Sequence, residues 1–242
     1  MMIVNADDWG RSQAETEAAL RCYQESRITS ATAMVFMEDS ARAADLGREA
    51  GIDIGLHLNL NQCFSGEAPA KLRECHDRVV RFLTSNKYAL IFYHPLLRDQ
   101  FRYVYNAQAE EFQRLYGRLP PHLDGHQHMH LCSNMLLDGV IPAGQKIRRS
   151  FSFGPGQKGA INRAYRHLVD LRLKRKYHVT DFFFALSQHL GKENLQPICQ
   201  LAVKSNVEVM THPIVPAERD FLLSDEYLDV ISAVRMGNFA AL

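Results

Sequence analysis

The chain has 242 residues, of which 46% are hydrophobic and 23% charged, with a formal net charge of +1. That balance describes a globular protein with enough apolar mass for a sizeable core, and it argues against nucleic acid as a partner, since no basic excess exists to neutralise phosphates. Five cysteines without C-x-x-C spacing point to reduced thiols rather than a disulfide framework. No apolar run is long enough to span a bilayer and no basic leader precedes an apolar stretch, so the expected location is cytoplasmic.

In chain order, residues 2–6 read as a buried strand, and Ser12-x-x-Glu15 forms a capping box for a helix to about residue 26. Residues 30–36 read as a second strand, 39–50 as a helix ending at Gly51, and 52–60 as a third strand. A polar loop runs to about residue 70, followed by a mainly helical region over 72–117 with a break near Pro95. Pro120-Pro121 then punctuates entry to a histidine-rich segment, 122–130, read as the fourth strand. Further strands are expected at 146–152, 179–185 and 206–211, with helices near 133–140, 157–176, 193–204 and 224–235. Strands alternating with helices predict an α/β fold with a mostly parallel sheet. About seven strands suit a distorted (β/α) barrel better than an open sheet, in a single domain over residues 1–242.

The segment His122-Leu123-Asp124-Gly125-His126-Gln127-His128-Met129-His130 holds four of the eleven histidines. These and Asp124 sit at even positions, which an extended chain turns to one face. Imidazole and carboxylate are ligands for Zn and related ions, and carboxylates also suit Mg or Mn. The plainer reading is a hydrogen-bonded histidine cluster or a surface metal-scavenging tract, although the intervening Leu123, Met129 and Leu131 resemble a half-buried strand. In parallel α/β folds functional groups gather at the C-terminal ends of strands. That rule selects Asp7-Asp8, His57 and Asn59, the histidine segment, and His212. Adjacent residues on a strand face opposite ways, so Asp7 and Asp8 are expected to take different tasks. Taken singly, Asp-Asp-x-Gly is ordinary turn chemistry, His57 a core histidine and His212 a strand end. Histidines 76, 94, 167, 178 and 189 read as structural or surface residues, and Cys63 and Cys132 as packing residues. The basic stretch 146–176 reads as a solvated helix face or an anion dock. Phe64, Tyr103, Tyr105 and Phe182–Phe184 read as core aromatics, with ring stacking on a sugar as the alternative.

Four motifs in order carry a resemblance: Asn5-Ala6-Asp7-Asp8-Trp9-Gly10, Gly55-Leu56-His57-Leu58-Asn59-Leu60, the histidine segment, and Thr211-His212-Pro213. They resemble those of the YdjC-like carbohydrate deacetylases, which include chitooligosaccharide deacetylases and hopanoid-biosynthesis-associated proteins. Trp9 departs from the family's usual Phe, and residues 64–118 and 145–190, which would shape the substrate pocket, match no motif. The resemblance implies one divalent metal ion, Mg or Zn, held by Asp8, His57 and His126. It further implies hydrolysis of an N-acetyl group on an amino sugar or glycolipid-like substrate by metal-activated water, with Asp7 as general base. For the general acid, His212 is the first choice, with His128 or His130 in reserve. Asp124 and Asn59 would support the ligands or the substrate. The alternatives are hydrolysis of a phosphoester or a non-sugar amide, or non-catalytic metal and carbohydrate binding. A homodimer is the base-rate expectation.

Overall fold

The computed structural model describes residues 1–153 and 159–242. Seven strands, β1 (Met2–Trp9), β2 (Ser30–Ala33), β3 (Asp53–Leu58), β4 (His122–Gly125), β5 (Lys146–Ile147), β6 (Phe182–Ala185) and β7 (Val207–Thr211), form one sheet in the order β5-β4-β3-β2-β1-β7-β6. Every pairing in it is parallel. The helices between them are α1 (Gln13–Gln24), α2 (Ser40–Ala50), α3 (Ala70–Leu83), α4 (Arg98–Tyr116), α5 (Ser133–Leu137), α6 (Ala160–Lys174), α7 (Lys192–Ala202), α8 (Pro216–Leu222) and α9 (Asp225–Ile231).

The sheet is strongly curled, a half-barrel rather than a plane. In a flat sheet β5 and β7 would lie about 24 Å apart at five strand spacings of ~4.8 Å. Instead the Arg148 guanidinium, just past β5, reaches Glu208 of β7 at 2.6 Å. The two sheet edges approach through irregular contacts, Ile147 N–H to the His178 carbonyl at 2.9 Å and Ser152 N–H to the Phe183 carbonyl at 2.9 Å.

Strand alternation divides the side chains between two faces. Met2, Val4 and Ala6 of β1, Ala31 and Ala33 of β2, Ile54, Leu56 and Leu58 of β3, and Val207 and Val209 of β7 join the main apolar core. The alternate positions give the concave face a different composition. Asn5, Asp7, Ser30, Thr32, His57, His122, Asp124 and Glu208 are all buried there. Burying so many polar groups is costly unless each is paired, so the concave face is where functional chemistry is expected.

Local sequence explains the frame around that face. Ser12 caps α1, its Oγ accepting from Glu15 N–H, and its hydroxyl donates to the Glu15 carboxylate. Gly51 ends α2 in the left-handed conformation at φ 70°. Trp9 is fully buried beside α2, with its indole N–H on the Ala43 carbonyl at 3.0 Å.

Several expected boundaries change. The histidine strand stops at Gly125, and His126–Leu131 form a 3-10 turn with Gln127 at φ 50° and His128 at φ 60°. Left-handed backbone at two successive residues breaks the two-residue alternation, so His126, His128 and His130 do not share one strand face. Strand 30–36 shortens to 30–33 and 146–152 to 146–147, and the region 72–117 is two helices separated by residues 84–97. Helix α8 stands where no element is expected. Residue 158, part of the basic stretch, lies outside the described residues.

Candidate active site and metal centre

Asp7 and Asp8 both reach the concave side, which strand alternation alone forbids. A register shift interrupts the β1–β2 ladder between Ala6 and Trp9, and Asp8 sits at φ 65°. Aspartate tolerates that left-handed conformation better than most residues. The bulge turns the second carboxylate back towards the first, correcting the expectation that the pair faces opposite ways. Phe36, Gln127 and His128 also have positive φ, so backbone strain gathers at the strand ends where the site lies.

Asp8, His57 and His126 converge. The Asp8 Oδ1 atom lies 3.0 Å from His126 Nδ1 and 3.3 Å from His57 Nε2, and the two ring nitrogens are 3.4 Å apart. For ligand bonds of ~2.1 Å, donor atoms around one ion stand roughly 3.0–3.4 Å from each other, so this set fits a single divalent cation. The remaining nitrogen of His57, Nδ1, lies 2.7 Å from Asp124 Oδ1. That carboxylate fixes the ring so that Nε2 faces Asp8. Burial alone would push His57 down, but Asp124 and Asp7 raise it to about 10. Burial likewise opposes ionisation of Asp8, yet its hydrogen bonds with His126 and His57 hold it far below the usual carboxylate range.

Asp7 stands beside this set with a partner that sequence reasoning missed. Arg148 is almost fully buried, and its Nη1 and Nη2 donate to Asp7 Oδ2 and Oδ1, each at 2.7 Å. Nη2 also reaches Asp124 Oδ2 at 2.6 Å. Asn5 Nδ2 donates to Asp7 Oδ1 at 2.9 Å, and the Thr32 hydroxyl lies 3.0 Å from Asp124 Oδ2. Burial opposes ionisation of Asp7, but Arg148 and His57 outweigh it and keep the carboxyl well below its ordinary value. In the sequence Arg148 is hidden among ten basic residues of the stretch 146–176. Its signal is position, at the end of a strand, whereas Arg163, Arg172 and Lys174 on α6 are exposed.

The other expected residues are placed as follows. His212 follows β7, and Glu218 of α8 fixes it, accepting from His212 N–H at 2.9 Å and from the Thr211 hydroxyl at 2.8 Å. Its half-buried ring is close enough for its charge to act on Asp7. His130 is buried and pairs through Nε2 with the Arg148 carbonyl at 3.0 Å; burial lowers it to about 4. Gly125 permits that arrangement, since a Cβ there would lie 2.8 Å from His130 Nδ1. His128 packs edge-on against Phe151 at 4.5 Å, and burial holds it well below its usual value. Neither ring is suited to donating a proton near neutrality. Asn59 does not join the centre: its side chain donates to the Gln62 carbonyl at 2.7 Å and accepts from the N–H groups of Asn61 and Gln62.

Next to the centre in sequence, Gln127 and His128 help line a cavity of about 740 Å³. Tyr88, Phe151, Tyr165 and Arg166 contribute to its wall. Phe64, Tyr103, Tyr105 and Phe182–Phe184, the aromatics noted in the sequence, are not among its lining residues.

A curled, all-parallel α/β sheet with an aspartate–histidine centre at the C-terminal ends of its strands defines the class of protein. The family model of YdjC-like proteins matches residues 1–242, and the chain belongs to that family. A chitooligosaccharide deacetylase from Serratia marcescens is 33% identical over 133 residues, a match covering 54% of this chain and only 51% of that relative. One from Salmonella schwarzengrund is 31% identical over 221 residues, covering 86% of this chain and 83% of the relative. Among solved structures, a candidate cellobiose-phosphate cleavage protein from Enterococcus faecalis superposes with a TM-score of 0.68 over 99% of this chain and 97% of its own, at 18% identity. That likeness concerns the fold.

Proposed function

We propose that this chain is a metal-dependent carbohydrate deacetylase that hydrolyses the N-acetyl group of an amino sugar or glycolipid-like substrate. The observation that carries the reading is the pairing of two arrangements at one strand edge. Asp8, His57 and His126 offer three donor atoms within 3.0–3.4 Å of one another, and Asp7 stands beside them as a clamped, ionised carboxylate that is not a member of that set. The names of the curated relatives support the acyl-sugar chemistry, and the aromatic-walled cavity offers surfaces on which sugar rings stack.

Asp8, His57 and His126 would hold a divalent ion, Mg or Zn, which would supply Lewis acidity and lower the pKa of water. The protein's own groups do the rest. Asp7 accepts the proton of the attacking water on Oδ2, whose only partner among the described residues is Arg148 Nη1, leaving a lone pair free. Arg148 and Asn5 keep the carboxylate from rotating. His212 gives a proton to the departing amine, because an amide anion is too basic to leave unassisted. Acetate and the free amine are the products. Asp124 holds His57 in the tautomer that presents Nε2.

Metal-loaded protein incubated with N-acetylglucosamine oligomers should release acetate, and chelation should stop it. Acetate release that persists after full removal of the metal would sink the metal-dependent mechanism. No release from any N-acetylated sugar or glycolipid would sink the substrate class.

A further inference from the structure

Glu208 is a buried carboxylate that the reaction above does not use. It lies on β7, in register with Ile3 of β1 and Phe183 of β6. Its Oε1 accepts from Arg148 Nε at 2.6 Å, while Oε2 is buried without a hydrogen-bond partner among the described residues. Arg148 thus divides its guanidinium among three carboxylates, Asp7, Asp124 and Glu208.

The charges in this enclosed network do not balance. On the metal-dependent reading, on which this inference rests, four carboxylates (Asp7, Asp8, Asp124, Glu208) face one guanidinium and one divalent ion, with the imidazoles neutral. One negative charge is left over, and a single proton closes the balance. Donor counts decide where it goes. Asp7 takes hydrogen bonds from Arg148 and Asn5, and Asp124 from Arg148, Thr32 and His57. Asp8 belongs to the cation set; the Arg11 guanidinium that meets it at 3.1 Å is 32% exposed and is itself matched by Glu15 at 3.4 Å, so that pair stands outside the enclosed count. Glu208 has one donor and one bare oxygen. An ionised oxygen without a donor in a dry interior costs more than a hydroxyl in the same place.

We propose that Glu208 is a positioning residue for Asp7, acting through Arg148, and that it carries the exchangeable proton of the network. The charged groups acting on it are Arg148 beyond β5, Asp124 of β4 and Asp7 of β1, while β6 presents Phe183. Burial pushes Glu208 up, against the pull of Arg148, to about 7. While Glu208 holds its proton, the guanidinium charge falls on Asp7 and Asp124, and Asp7 is a weak proton acceptor. When Glu208 ionises it draws that charge towards itself, and Asp7 becomes a better base. Turnover therefore rises as Glu208 loses its proton.

Infrared difference titration of the metal-loaded chain, compared with E208Q, tests this directly. The expected result is a carboxylic-acid carbonyl band in wild type that fades with a midpoint of about 7 and is absent from E208Q. A shift of the Asp7 carboxylate band, assigned with D7N, should accompany that titration and disappear in E208Q. In turnover, E208Q should fold and keep its metal content and KM, and its kcat should lose the rise across neutrality, falling about tenfold above it. E208A, which strips Arg148 Nε of its acceptor, should lose more than E208Q. No acid band, or one that survives in E208Q, overturns the proton assignment. A kcat profile in E208Q superimposable on wild type overturns the positioning role. Wild type without deacetylation would instead defeat the reaction proposed above, and the two infrared bands would still judge Glu208.

Discussion

Asp7 is held by three hydrogen bonds, from Arg148 Nη1, Arg148 Nη2 and Asn5 Nδ2, so its orientation costs nothing further at the moment of reaction. Asp7→Asn keeps the shape and loses the proton acceptor. It should lower kcat by ~10²–10⁴-fold while metal content, measured by atomic absorption, stays at the wild-type level. Unchanged turnover in this variant would remove Asp7 from the base role. Asp124→Asn acts one step further out, on the tautomer of His57. It should weaken metal affinity by about 10–100-fold, read by competition with a chelating dye. Arg148 shows why residue type alone misleads: among nine basic neighbours in sequence, only its place on the sheet gives it three carboxylates to hold.

At the scale of elements, two short segments place the chemistry. Helix α8 returns Glu218 to the end of β7, where it accepts from both Thr211 and His212. Glu218→Ala removes that anchor, and it should reduce kcat severalfold with metal content intact, since the backbone of His212, the proposed acid, loses a charge-assisted hydrogen bond. Equal kcat would separate His212 from the reaction. The turn after β4 is the second segment. Gly125→Ala would force a Cβ to 2.8 Å from the confined His130 ring, and overpacking of that kind costs roughly 1–3 kcal/mol. A thermal melt should record the loss, together with a weaker hold on Arg148, whose carbonyl His130 supports.

At the scale of the molecule, burial of a polar concave face gives the metal-free chain a definite pH dependence. His76, His122 and His130 are lowered by burial to about 4, 3 and 4 from 6.5. Each favours the fold above its unfolded value and loses that contribution as pH falls towards its folded one. Asp7 and Asp8, held below 3.8, act in the same sense further into acid. His57, raised from 6.5 to about 10, acts oppositely: its contribution is complete below 6.5 and is lost as pH climbs towards about 10. Glu208, raised from 4.5 to about 7, costs stability as pH rises through that interval. With four lowered histidines, His128 among them, outweighing the raised carboxyls of Glu208, Asp53 and Glu15 below 6.5, metal-free stability should peak near pH 6.5. Thermal melts of chelator-treated protein across pH check this. A midpoint still climbing well above that pH would contradict the His57 environment described here.

Periodicity and punctuation made the parallel α/β class and the strand-end residues readable, because alternation, caps and prolines are local and a sequence displays them. Asp7, Asp8, His57 and the histidine segment stand out that way, whereas singling out His126 within the segment rests on the motifs of the YdjC-like family. Other features arise from non-local geometry. The β1 bulge that turns Asp8 beside Asp7, the left-handed turn that separates His126 from His128 and His130, and the diversion of Asn59 into its own loop all overrule simple alternation. The curl that carries Arg148 across the sheet to Asp7, Asp124 and Glu208 joins residues up to 141 positions apart. Local sequence thus determined which side chains stand at the strand ends. Which of them meet was decided by the closing of the sheet, since only a curved sheet brings distant strands within hydrogen-bonding reach.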